Sequence, residues 1–450
     1  MTTATQTAKL KRAVCEAIDA RRDDIVGLGE AIMDTPELGF KEVRTADRVR
    51  EVFCDLGLST EDGLALTGVR AELRGASPGP TVALMGELDA LIVPDHPRCD
   101  PVTGAAHACG HNAQIAGLVG AAFGLAASEL ASQLAGCVVF LAVPAEEYVE
   151  IDYRLSMVRE GKTTFLSGKP ELLQLGVFDD IDMAVMIHSG SADSLEGSMG
   201  VSSSSNGFLA KTVRFRGKAA HAGVAPEQGV NALNAANLAL SAINAQRETF
   251  RDQDCVRVHP ILTKGGDIVN IVPAETLLET YVRALSAEAV QDAAAKVDRA
   301  VRGAAVACGC AVEIETVPGY LPLVNDRNLA LLFKCNAVEI FGENAHREYP
   351  HSGGSTDAGD LSQIMPVLHP VMTGAAGTVH GKDWHIADLD AGYLAPAKTM
   401  AMMAVDLLAN GAKEAQKVLA ESRPALTCEE YLRQQKEVFR TEVFDGTDVG

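Results

Sequence analysis

Cys109 and His111 stand two residues apart in Ala106-His107-Ala108-Cys109-Gly110-His111-Asn112, with a second imidazole upstream at His107. Gly110 between them lets the main chain bend so that thiol and imidazole reach one point. Thiolate and imidazole suit zinc, and also manganese, cobalt or nickel where carboxylates complete the set. A carboxylate pair follows at Glu146-Glu147, and isolated histidines stand at His188 and His380. A structural zinc site would close with a further cysteine or histidine pair at short spacing. Here the candidate donors are instead spread from Cys109 to His380 and include a carboxylate. Such a site needs the folded domain to assemble it and can keep a position open for water, as a catalytic centre must.

The elements that must position these groups are strands. Thr81-Val82-Ala83-Leu84-Met85-Gly86 is a short apolar run that predicts a buried strand, and it ends in Glu87-Leu88-Asp89. Cys137–Val143 predicts a second, running into Pro144-Ala145-Glu146-Glu147, and Met183–Ile187 a third, ending at His188. Three strands thus deliver polar groups at their C-terminal ends, where open α/β sheets bind ligands. The alanine-rich stretch Ala113–Leu130 predicts a helix packed on the sheet, and the segment 148–182 lengthens the connection before His188.

After a serine run at Ser202–Ser205, residues 207–318 read strand-helix-strand-strand-helix-strand. That order predicts a ferredoxin-like α+β unit inserted into the first domain. The expected division is 1–206 with 319–450, and 207–318 as the insert. The charged tail from Lys413 to Gly450 is expected to be helical until it frays.

With 450 residues, 47% hydrophobic and 22% charged, the chain has the composition of a globular protein. Sixty acidic against 39 basic residues give a net charge of −21, which repels nucleic acid and anionic membranes. No apolar run reaches the roughly 18–20 residues of a membrane span. Ten cysteines without framework spacing, and a polar stretch from Met1 to Leu10, lead to the expectation of a cytoplasmic protein with reduced thiols.

Together these residues resemble the zinc-peptidase-like metallo-amidohydrolases, the group of aminoacylases, indole-acetyl-amino-acid hydrolases and p-aminobenzoyl-glutamate hydrolase. Pro36-Glu37-Leu38-Gly39-Phe40 is similar to the family's N-terminal element, and His107–Asn112 to its metal motif, with Asn112 where many members have Asp. Glu146-Glu147 matches the catalytic pair, and Gly265-Gly266 with Asn270-Ile271-Val272-Pro273 the insert loop. Ser355-Thr356-Asp357-Ala358-Gly359-Asp360 resembles the aminobenzoyl-glutamate branch in particular. The site Glu87-Leu88-Asp89 departs from the His-x-Asp of many peptidase relatives, so Asp89 is expected to orient a ligand.

The resemblance implies a metal-bearing three-layer α/β catalytic domain with a ferredoxin-like dimerisation insert. It implies two divalent ions per subunit, zinc or manganese with cobalt or nickel as alternatives, held by Cys109, His111, Glu147, His188 and His380. His385, five residues on, is the alternative to His380. Glu146 is expected as general base on the water that a bound metal activates. His221 of a partner subunit would support the oxyanion, and Asn270 and Arg283 would hold substrate polar groups. The implied activity is cleavage of the amide bond of an N-acyl or N-aroyl amino acid or a short peptide. Deamination of an aromatic amine, or a non-catalytic metal-binding role, are the alternatives.

Overall fold

The computed structural model describes residues 3–447. The chain forms two compact units, Met1–Ser203 with Val324–Pro350 and Asp360–Cys428, and Ser204–Leu323 with His351–Gly359 and Glu429–Gly450.

The first unit is built on a six-stranded sheet in the order Ser59–Leu64, Gly68–Arg74, Ala135–Val143, Ser77–Glu87, Met183–Met186, Val367–Leu368. The last four strands run parallel. They are continuous apolar runs because both faces are covered: Val82, Leu84, Phe140 and Val185 on one face and Met85, Val139, Leu141 and Met186 on the other are all buried. The helix His111–Ala126 covers one face, and nearly all of it is buried. It approaches its neighbours closely because it is rich in glycine. A Cβ on Gly120 would fall 2.7 Å from Ala397 Cβ, and one on Gly124 2.8 Å from Ile18 Cγ1. A smaller sheet carries His188–Ser191 beside Val371–Ala376, which pairs in turn with His385–Ile386.

The second unit holds strands and helices in the order strand Gly207–Arg216, helix Ala232–Ala245, strands Arg257–Lys264 and Glu275–Ala284, helix Ala287–Cys308, strand Ala311–Pro318. All strand pairs are antiparallel, with the second strand at one edge and the first between the third and fourth, the ferredoxin-like arrangement. The overall class is therefore α/β with an α+β insert.

Two boundaries differ from the sequence reading. The described residues 429–447 cluster with the second unit, and they include a strand where helix was expected. The helix Cys428–Val438 leads into a strand, Arg440–Asp445, that pairs with Ala311–Pro318 as a fifth strand. Along that strand Glu442 and Phe444 are partly buried between exposed neighbours, and Phe444 packs on the insert's core. The serine-rich segment 351–359 also clusters with the second unit.

Candidate metal centre

Gly110 caps the helix His111–Ala126 in a left-handed conformation, φ +88°, and a Cβ there would strike the Ser189 side chain. This bend sets Cys109 Sγ and the His111 ring side by side. His188 follows the third parallel strand, and its Nε2 lies 3.4 Å from Cys109 Sγ. The His188 Nδ1 faces the Ser189 carbonyl at 2.7 Å, so Nδ1 carries the proton and Nε2 the free lone pair. The same logic fixes His111. Its Nδ1 is 2.9 Å from the Asp89 carbonyl and 3.3 Å from Asp89 Oδ1, both acceptors. Nε2 is therefore the available donor, and it is buried without a hydrogen bond.

On the other side of Cys109 stand Glu147 and His380. His380 Nε2 is 3.5 Å from Glu147 Oε1, a buried oxygen that also makes no hydrogen bond. The main-chain N–H of His380 donates to the Ala108 carbonyl at 2.9 Å, tying its loop to the Cys109 segment. His385 is exposed, with Nδ1 against the Asp383 carbonyl at 2.9 Å. Among the described residues, three groups have donor atoms within 4.8 Å of one another: Cys109, His111 and His188; Cys109, Glu147 and His380; and Glu87, His111 and Glu146. Cys109 Sγ belongs to two of them. Two buried, unbonded donor atoms of the right chemical type, His111 Nε2 and Glu147 Oε1, are what a cation-binding cluster requires.

Without an ion, the surroundings keep protons on two of these donors, which a bound cation would displace. Burial, reinforced by Glu147, raises the Cys109 thiol above the ordinary range. Burial opposes protonation of His111, but Glu87 and Cys109 outweigh it and raise its pKa well above the usual imidazole range. For His188 burial, with His111 adding to it, lowers the pKa.

Two of the groups that hold the carboxylates, Lys169 and Gln114, were not evident from the sequence. Glu87 is buried, with Oε1 2.6 Å from Lys169 Nζ and Oε2 2.7 Å from Gln114 Nε2 and 3.1 Å from His111 Nε2. Burial raises its pKa, but Lys169, also fully buried, outweighs this and holds the carboxyl ionised. Asp89 Oδ2 accepts the Glu147 N–H at 2.8 Å, so Asp89 orients both His111 and the Glu147 loop. Glu146 is 8% exposed, with Oε2 3.9 Å from His111 Nε2. It follows Ala145, whose φ of +53° costs a non-glycine residue about 1–3 kcal/mol and marks a strained loop.

His221, Asn270 and Arg283 lie in the second unit. His221 is exposed, and its Nδ1 accepts the N–H groups of Gly223 and Val224, both at 3.2 Å, leaving Nε2–H as an outward donor. Asn270 is next to it: the Ala222 N–H donates to the Asn270 carbonyl at 2.9 Å. The Arg283 guanidinium sits 5.4 Å from the Phe208 ring and 5.6 Å from Tyr281, with Nη1 3.2 Å from Ser355 Oγ.

Comparison with known proteins places this geometry. The model of peptidase family M20/M25/M40 matches residues 83–405. The chain belongs to that family. Among M20 relatives, the Xaa-Arg dipeptidase of Mus musculus is 31% identical, covering 89% of each chain. The N-acetylcysteine deacetylase of Bacillus subtilis is 27% identical over 80% of this chain and 90% of its own. The solved structure of a dinuclear metal binding peptidase from the M20 family of Bacillus subtilis superposes with a TM-score of 0.65 at 23% identity, covering 87% of this chain and 99% of that one. Among the described residues, no helix of this M20 chain is long and apolar enough to cross a membrane.

Proposed function

We propose that the chain is a binuclear metal-dependent amidohydrolase that cleaves the amide bond of an N-acyl or N-aroyl amino acid or a short peptide. The observation that carries this reading is the membership of Cys109 Sγ in two donor groups, which would let one thiolate bridge two ions. Cys109, His111 and His188 would hold one, and Cys109, Glu147 and His380 the other. The mixture of thiolate, imidazole and carboxylate suits zinc or manganese, with cobalt and nickel compatible. When bound, the ions lower the pKa of water and polarise the amide carbonyl.

The protein's own groups do the rest. Glu146, on the strained turn, takes the proton of the attacking water and returns it to the leaving amine. His221 offers Nε2–H to the oxyanion. Arg283, spread over two aromatic faces, presents a planar fork suited to a substrate carboxylate, and Asn270 supplies an amide. The relatives, an Xaa-Arg dipeptidase and an N-acetylcysteine deacetylase, support this substrate class.

A homodimer supports the part given to His221. The edge strand Arg257–Lys264 exposes Ile261 and Leu262, and the neighbouring loops expose Val224, Ile268, Val269 and Ile271 around His221 and Asn270. An open edge bordered by so much apolar surface is what a second copy covers. Ten free cysteines support a cytoplasmic location.

A panel of N-acyl amino acids and dipeptides, read by mass spectrometry with added manganese or zinc, tests the activity. Release of a free amino acid, abolished by a chelator, is expected. No cleavage across the panel, or ammonia released from an aromatic amine instead, would overturn the reading.

A further inference from the structure

We infer that Arg154 is a positioning residue for the loop that carries Glu146 and Glu147, and that the segment 148–167 supplies it. This rests on the roles given above to those two carboxylates. Arg154 lies in the helix Ile151–Arg159, within a stretch whose sequence, Glu150-Ile151-Asp152-Tyr153-Arg154, reads as solvated surface. It is instead fully buried. Its guanidinium donates to main-chain carbonyls: Nη2 to Glu147 at 2.5 Å, Nη1 to Leu166 at 2.6 Å and to Ala145 at 3.3 Å. Two of those carbonyls flank Glu146 on either side. Desolvating a guanidinium is costly, and packing alone would be served by an apolar side chain.

The loop is one that must be held. Ala145 is in the left-handed region, and the N–H groups on both sides of Glu146 are fixed as well. Ala145 N–H donates to Glu42 Oε1 at 2.8 Å, and Glu147 N–H to Asp89 Oδ2 at 2.8 Å. Arg154 completes this grip from the carbonyl side, and its rigid fork holds both carbonyls in a fixed geometry, which the ammonium of a flexible lysine does not impose. The clamp also accounts for Gly39 in the Pro36–Phe40 element. A Cβ on Gly39 would collide with Arg154 Nη2 and lie 2.9 Å from Ala145 Cα. The Phe40 ring then closes over the guanidinium at 5.4 Å.

The test uses Arg154→Gln and Arg154→Lys in the full-length, metal-loaded protein. Two readouts are followed, steady-state kinetics on a substrate from the panel, and hydrogen exchange of peptides spanning residues 144–148. Both variants are expected to lose kcat by about 100-fold, the cost of a misplaced catalytic group, with KM within about twofold of wild type. Exchange at 144–148 should accelerate while the rest of the chain keeps its protection. Full kcat in Arg154→Lys would show that only buried charge matters and overturn the assignment. Exchange that is unchanged at 144–148, or faster everywhere, would overturn it too. If Arg154→Gln does not fold, the lysine variant, which keeps charge and length, decides. Should wild type cleave no amide, the functional reading fails, and the exchange readout still judges the clamp.

Discussion

Glu146→Ala is expected to lower kcat by about three orders of magnitude while the protein keeps its metal. A positioned general base contributes roughly 10²–10⁴-fold. Glu146 belongs to neither donor group that contains Cys109, so its removal leaves both of those groups intact. It lies on the same strained loop as Glu147, 3.9 Å from His111 Nε2, close enough to share the reacting water. Glu146→Gln keeps the shape but cannot accept a proton, and should be as inactive as the alanine variant. Steady-state kinetics and elemental analysis of the same samples check both statements. Undiminished turnover would remove Glu146 from catalysis, whereas loss of metal would make it a ligand.

The second large effect is restoration of activity by mixing two inactive proteins. His221→Ala and Glu146→Ala are each expected to be nearly inactive alone. If a partner subunit supplies His221, a heterodimer holds one site with Glu146 intact and His221 intact across the interface. Random exchange makes half the dimers mixed, each with one good site of two, so activity should return to roughly a quarter of wild type. The exposed strand Arg257–Lys264 and the apolar residues around His221 are the surface on which that exchange depends. Native mass spectrometry establishes that heterodimers have formed. Heterodimers present without recovered activity would place His221 outside the partner's site.

Much of the candidate metal centre was legible because its donors sit at ends of strongly patterned elements. Apolar runs at Thr81–Gly86, Cys137–Val143 and Met183–Ile187 read as buried strands, and in the fold they pair in parallel with their C-terminal ends at one sheet edge. Cys109 and His111 were legible through Gly110, whose φ of +88° the bend requires. The supporting groups were not. Lys169 meets Glu87 across 82 positions of sequence, and nothing local distinguishes a buried lysine from a solvated one. Arg154 is equally silent, because its partners are main-chain carbonyls, which every residue has. The tail misled for a different reason. Its charge suggested helix, but Arg440–Asp445 pairs along the edge of Ala311–Pro318, a partner more than a hundred positions away.

The central claim is that one thiolate serves two ions, and counting metal in Cys109→Ala tests it most directly. Wild-type protein reconstituted with manganese or zinc and freed of excess should hold about two ions per chain by inductively coupled plasma mass spectrometry, as the two donor groups sharing Cys109 require. The folded Cys109→Ala variant should hold fewer than about one, because both groups lose the same donor. A variant that still binds two ions per chain would contradict the account.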